Sequence, residues 1–279
     1  MEIMKGLPVA NAINEQIIEE AKGLKKTPHL AIIRVGERPD DVSYEKSAVK
    51  KMEKVGFLAT CYTFEESISD EAFQKEFDKI NEDPEIDGIL LLRPLAKGLN
   101  EKAIEQRICP NKDLDGISPV NMAKIYAGEE DGFAPCTAEA VIEILDYYGV
   151  DVTGKRVTVV GRSLVIGKPV SMLLLKKNAT VTMRHTKTKE MEKTCRNAEI
   201  VVAAAGCAKM ITSDYVNSDA VVVDVGINVD EQGKLCGDVD FSDIENHVAM
   251  ATPVPGGVGS VTTSVLAKHL LKAAKRKQK

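Results

Sequence analysis

Apolar residues along the chain fall into two recurring patterns, short continuous runs and helically spaced stripes. Val9, Ala12, Ile13, Ile17, Ala21 and Leu24 share one helical face and predict a helix over 9–24. The run Leu30-Ala-Ile-Ile-Arg-Val35 predicts a buried strand, followed after a polar turn by a helix over 44–55 that Gly56 ends. Strands are expected at 57–64 and 88–92, the latter stopped by Pro94, and helices at 69–80 and 100–107. Strands alternating with helices imply a parallel sheet covered on both faces.

Between 109 and 137 the periodicity fades into Pro-, Gly- and Asp-rich sequence, read as a domain junction and one wall of a cleft. A helix over 137–148 resumes the pattern. Strands at 157–160, 180–183, 200–204 and 220–225 then alternate with helices at 171–176, 189–198 and 213–216, and a last helix covers 261–275. The fold class is α/β, with a doubly wound second half.

The stretch 156–169 carries the first candidate chemistry. A strand runs into Gly161, which permits a sharp turn; Ser163 is small, and Gly167 allows close packing of helix on strand. A helix N-terminus there would attract a dinucleotide pyrophosphate. The spacing is G-x-S-x-x-x-G, so the residues alone admit an ordinary tight turn as well, and the repeating βα context favours the dinucleotide site. A second glycine cluster at 252–259, Thr-Pro-Val-Pro-Gly-Gly-Val-Gly, can bring bare backbone close to a flat ligand or serve as a rigid hinge.

Composition narrows the function classes. With 37 basic and 42 acidic residues the formal charge is −5, which gives no general attraction to nucleic acid. The basic cluster 272–279 reads as a solvated, frayed helix end. Six cysteines, at 61, 109, 136, 195, 207 and 236, are dispersed and read as reduced thiols of a cytoplasmic protein. Four scattered histidines suggest no metal site, and no segment reads as a signal peptide or membrane span.

Taken in order, Val35-Gly36 with Tyr44, Asp87-Gly-Ile-Leu90 with Pro94-Leu95, Lys112-Asp-Leu-Asp-Gly116, Pro135-Cys-Thr137, Val160-Gly-Arg-Ser163 with Ile166-Gly167, Asp224-Val-Gly-Ile-Asn228 and the 252–259 run cover nearly the whole chain. Together they resemble the methylenetetrahydrofolate dehydrogenase/methenyltetrahydrofolate cyclohydrolase family. The resemblance implies an N-terminal three-layer α/β folate domain, 1–122 closed by 260–279, and a Rossmann-like NAD(P)-binding domain, 123–259, with a cleft between them, in a homodimer. It further implies that Tyr44 stacks on the folate and Asp115 hydrogen-bonds the pterin edge, both as catalytic and substrate-binding residues, with Pro255, Gly256 and Gly257 beside them. Packing and turn-capping are the alternative roles of Tyr44 and Asp115; Asp113 keeps a turn role. Gly161, Arg162, Ser163, Ile166, Gly167, Arg184, His185, Thr186, Gly206 and Ile227 would contact the cofactor.

The family's ring-opening activity rests on a lysine four residues after the tyrosine and a glutamine ahead of the Pro-Leu pair. Here these places hold Ala48 and Leu92. Lys46 and Lys50 lie two positions away, about 200° around a helix, and Arg93 points to the opposite strand face. The expectation is a dehydrogenase with weak or absent cyclohydrolase activity, the alternatives being the bifunctional enzyme and a noncatalytic folate- or nucleotide-binding protein. The sequence Arg184-His-Thr-Lys-Thr188 has no carboxylate before Glu190, which favours NADP over NAD. Ala138-Glu-Ala140 departs from the family's usual Pro and Gly.

Overall fold

A computed structural model describes residues 1–278. The chain packs into two compact units, Ala12–Cys136 with Thr263–Lys279, and Met1–Asn11 with Thr137–Thr262. These limits differ from the expected domain limits at both junctions. Residues 1–11 pack with the second unit because a short strand, β1 (Glu2–Ile3), pairs with its sheet. Residues 123–136 pack with the first, where the buried Phe133 ring lies 5.3 Å from that of His269.

In the first unit, β2 (His29–Val35) lies between β3 (Leu58–Phe64) and β4 (Gly88–Leu91), all parallel. Helix α1 (Gly6–Ala21) precedes β2 and continues across the division at 11/12, and α2 (Pro39–Val55) follows it. Proline starts α2 and Gly56, in the left-handed region at φ 78°, ends it. On one face of the sheet Ala31, Ile33, Ile89 and Leu91 meet Phe73, Phe77 and Ile80 of α3 (Asp70–Glu82) and Ile104 of α4 (Glu101–Arg107). Leu30, Ile32 and Leu90, which alternate with them, are equally buried, so β2 and β4 are dry on both faces, whereas the edge strand β3 has no buried residue.

The stretch 109–137 is more ordered than its sequence suggests. It contains α5 (Pro119–Ala127), capped by Ser118, whose hydroxyl accepts from Asn121 N at 3.2 Å, and ended by Gly128 at φ 74°. Pro119 and Gly128 are helix punctuation here, not loop formers.

The expected frayed tail is also corrected. In α10 (Thr262–Lys277), Lys272 Nζ donates to the carbonyls of Glu130 and Gly132, both at 2.8 Å. Arg276 donates to Asp131 O at 2.6 Å, and both cations lie over the Phe133 ring. Lys277 pairs with the buried Asp87 carboxylate at 2.7 Å. Long apolar stems let these cations cover buried surface, which net charge alone does not reveal. Lys279 lies outside the described residues.

The second unit holds a six-stranded parallel sheet of β5 (Arg156–Val160), β6 (Thr180–Arg184), β7 (Ile200–Ala203), β8 (Val221–Asp224), β11 (Met250–Ala251) and β1, in the order β1-β11-β8-β7-β5-β6. A small antiparallel pair, β9 (Asn228–Val229) and β10 (Leu235–Cys236), stands apart from it. The helices are α6 (Cys136–Tyr147), α7 (Gly167–Lys176), α8 (Met191–Arg196) and α9 (Phe241–Ile244). The helix expected at 213–216 is a single 3-10 turn, Ser213–Tyr215, and α7 begins at Gly167, four residues before the expected start at 171. Val201, Ala203, Val222 and Ala251 form a core with Cys195, Ile211, Ile244 and Val248. Among the described residues no helix is long and apolar enough to cross a membrane, and no group of His, Cys, Asp or Glu is placed to hold a metal ion.

Candidate functional site

Tyr44 and Asp115 come together in the first unit. Tyr44 lies in the second turn of α2, and burial pushes its phenol well above the ordinary range, with Cys136 and Asp115 adding to the shift. Burial also raises the Asp115 carboxyl, opposed by a hydrogen bond from Cys136 N to Asp115 Oδ1 at 2.8 Å. The Cys136 thiol donates to Leu114 O at 3.4 Å, and His269 Nδ1 lies 2.7 Å from the same oxygen. The segment carrying Asp115 is therefore fixed by Cys136 and by His269 of α10. Gly116 permits the turn, at φ 61°, since a Cβ there would lie 2.4 Å from Phe133 O.

Asp113 has the turn role expected of it. It is 1% exposed, and its carboxylate accepts from Ile117 N, Ser118 N and Asn121 Nδ2 at 2.8–2.9 Å. Asp115, by contrast, is partly exposed.

Ala48 and Leu92 are both buried and apolar. Arg93 turns to Glu101 and Glu105, at 3.4 and 2.9 Å. A different amine occupies the stripe of Tyr44. Lys51 lies seven residues along α2, almost in line with Tyr44, and its Nζ donates to Ser264 Oγ at 2.8 Å and Asn14 Oδ1 at 3.3 Å. Burial, then the neighbouring Lys54, lowers its pKa. Asn14 is 2% exposed and its Nδ2 is buried without a partner. Sequence reasoning passed over Lys51; its i+7 spacing from Tyr44 was the available signal.

In the second unit the expected dinucleotide turn is built as its glycines require. Gly161 has φ 137°, and a Cβ on it would fall 2.1 Å from Ala204 O. A Cβ on Gly167 would fall 2.3 Å from Gly161 O, so the start of α7 sits directly on the strand end. Ser163 Oγ accepts from Ile166 N at 3.1 Å and Gly167 N at 3.4 Å, while Arg162 is exposed. Gly161 N donates to Arg184 O at 2.9 Å, joining this turn to the end of β6. Arg184 Nε is buried with no partner, a cationic donor suited to an anion. The following turn closes through His185 N to Thr188 Oγ1 at 3.0 Å, leaving Thr186 exposed. A glycine cradle and an arginine whose Nε has no hydrogen-bond partner fit a phosphorylated dinucleotide.

Gly206 and Ile227 lie on the loops after β7 and β8. Gly206 has φ 68°, and Ile227 is 70% exposed. Ile227 lines a hollow of about 190 Å³ with Pro255, Gly256 and Gly257, so the structure unites one expected cofactor residue with the three expected substrate-loop residues. The 252–259 loop is tied down by Gly6, whose N–H donates to Gly256 O at 2.8 Å, and by Thr252 Oγ1, which accepts from Asp224 N at 2.7 Å.

Two carboxylates behind these loops were missed. Asp224 accepts from the amides of Gly226, Asp238 and Val239 at 2.9–3.0 Å, and burial raises its pKa to about 6. Asp238, fully buried, accepts from Ala205, Gly206 and Cys207 N and from Asn228 Nδ2 at 2.5–3.0 Å.

Comparison with known proteins agrees with both units. The model of the tetrahydrofolate dehydrogenase/cyclohydrolase catalytic domain matches residues 4–115, and that of the same family's NAD(P)-binding domain matches 135–278. A relative from Clostridioides difficile (strain 630), named bifunctional protein FolD, is 50% identical over 277 residues, 98% of this chain and 96% of the relative. The crystal structure of the bifunctional FolD dehydrogenase/cyclohydrolase from Campylobacter jejuni superposes with a TM-score of 0.94 at 36% identity, covering 99% of each chain. That of the Trypanosoma brucei enzyme, complexed with NADP cofactor and inhibitor, gives 0.91 at 35% identity over 98% of this chain and 97% of that one. With the motifs in order, the two folds matched and the likeness running end to end, the chain belongs to the tetrahydrofolate dehydrogenase/cyclohydrolase family.

Proposed function

We propose that the protein oxidises 5,10-methylenetetrahydrofolate to 5,10-methenyltetrahydrofolate with NADP. The observation that carries this reading is the cradle at Gly161 and Gly167 joined to Arg184, whose buried Nε has no partner. NADP supplies the hydride acceptor. The chain's own residues bind and orient: Arg162, Ser163, Ile166, Gly167, Arg184, His185 and Thr186 would hold the phosphates and ribose, and Gly206 and Ile227, on the loops after β7 and β8, would contact the nicotinamide end. Tyr44 offers its ring to the pterin, Asp115 accepts from the pterin N–H groups, and the backbone at Pro255, Gly256 and Gly257 lies against the flat substrate. The adjacent folate nitrogen stabilises the cation left when the bridging C–H bond breaks, so the main demand is holding the reacting atoms ~3–3.5 Å apart. The folate-binding role falls to the unit Ala12–Cys136 with Thr263–Lys279 and the cofactor-binding role to the unit Met1–Asn11 with Thr137–Thr262, in a cytoplasmic homodimer.

Ring opening divides two readings. Ala48 and Leu92 cannot move a proton, and a positioned acid or base is worth ~10²- to 10⁴-fold, which favours weak cyclohydrolase activity and a separate enzyme to consume the methenyl product. The bifunctional reading is favoured by the name of the relative that is 50% identical along the chain, and by Lys51, a half-buried amine of lowered pKa in line with Tyr44. Supplying methylenetetrahydrofolate with NADP or NAD tests the first statement; NADPH must form, and form at lower cofactor concentration than NADH. Supplying methenyltetrahydrofolate tests the second. Enzyme-dependent loss of its absorbance, abolished in Lys51→Met while hydride transfer persists, establishes the bifunctional enzyme; loss at the uncatalysed rate establishes the dehydrogenase alone.

A further inference from the structure

The loops after β7 and β8 carry Gly206 and Ile227, and one carboxylate holds both. Asp238 Oδ2 accepts from Ala205 N at 2.5 Å and Gly206 N at 3.0 Å; Oδ1 accepts from Cys207 N and from Asn228 Nδ2, each at 2.9 Å. Consecutive backbone N–H groups converging on one point make a concavity that commonly takes a phosphate or another anion. Here Asp238, with no exposed surface, fills it. A carboxylate has about four acceptor positions, and four donors occupy them, so Asp238 is a tie rather than a ligand group.

The surrounding glycines show how closely the tie is fitted. A Cβ on Gly226 would fall 2.3 Å from Asp238 Oδ1, and one on Gly237 would fall 1.8 Å from Asp224 Oδ2. Asp224 in turn accepts from Asp238 N at 3.0 Å and from Gly226 N at 2.9 Å. The two loops thus have their relative position set by a carboxylate pair behind them.

We propose that Asp238 is a positioning residue for hydride transfer, holding the 205–207 loop and the 226–228 loop in the one arrangement that presents Gly206 and Ile227 to the nicotinamide. The inference rests on the dehydrogenase reading above. It assigns to Asp238 an effect on the chemical step: freeing one loop lets the ring wander, and small misplacements of reacting groups cost up to ~100-fold in rate. Cofactor affinity, supplied chiefly by the separate cradle at 161–167, changes much less.

The test uses the full chain with Asp238→Asn and, because that variant can fail to fold, Asn228→Ala, which removes a single donor and leaves the carboxylate in place. Both are assayed with NADP and with methylenetetrahydrofolate bearing deuterium on the bridging carbon. The expected result for Asn228→Ala is kcat lowered ~10-fold, KM for NADP within about 3-fold of wild type, and an enlarged deuterium isotope effect. Asp238→Asn, where folded, shows a larger fall in kcat. A wild-type kcat and isotope effect in Asn228→Ala, with or without a lower Tm, overturns the inference and leaves the dehydrogenase reading standing. A wild-type protein that forms no NADPH overturns both.

Discussion

Cys136 N–H donates to Asp115 Oδ1 at 2.8 Å, yet burial outweighs this bond and raises the Asp115 pKa. Because the folded pKa exceeds the unfolded one, the carboxylate's contribution to stability is greatest below the unfolded value and is lost as pH rises through the folded value. Asp115→Asn therefore gains stability relative to wild type at neutral pH, a gain that shrinks on acidification; denaturant melts at several pH values measure it. The same variant weakens folate use ~10- to 100-fold, since a charged acceptor of pterin N–H groups is lost. It also removes the acidic limb from the pH profile of kcat/KM.

Gly161→Ala places a Cβ 2.1 Å from Ala204 O at φ 137°, a conformation closed to alanine. The variant loses at least ~3 kcal/mol of stability, and NADP protection against thermal unfolding disappears. Calorimetry with and without NADP checks both.

Arg184 Nε is a buried cationic donor without a partner. Arg184→Ser lowers the preference for NADP over NAD ~10- to 100-fold, the worth of a charged hydrogen bond to phosphate. The measurement is the ratio of kcat/KM for the two nucleotides, and an unchanged ratio would remove Arg184 from the site.

Deleting 272–279 takes away the Lys272 and Arg276 bonds to 130–132 and the cation that faces buried Asp87. At about 1 kcal/mol or more for each of the three carbonyl contacts, and with the buried Ala273 and Ala274 removed as well, the truncated chain is less stable by more than roughly 3 kcal/mol. A solvated, frayed tail would leave the urea midpoint unchanged.

The strands at β2, β4, β5 and β8 were legible because a parallel strand buried on both faces has to be continuously apolar, as Leu30 to Ile33 and Val221 to Val223 are. Gly161 and Gly167 were legible because only glycine survives at such close approach. Helix α5 was hidden by its own boundary residues, since Pro119 and Gly128 punctuate helices and loops alike. Asp238 could not be found from local pattern. Its meaning lies in donors at 205–207, some thirty residues away, and a buried aspartate amid glycines looks like any turn. Lys51 was readable in principle but was overshadowed by the absence at Ala48.

The pairing of Glu2 with Met250 joins positions separated by 248 residues. On a ribosome adding about 5 to 20 residues per second, residues 2–3 wait roughly 12 to 50 s for their partner strand. Until β11 emerges, the flank of β8 remains an open strand edge able to pair with another chain. The strands beyond β8 in the cofactor-domain sheet are thus added only near the end of synthesis, and nascent-chain aggregation should be most sensitive to conditions in that interval.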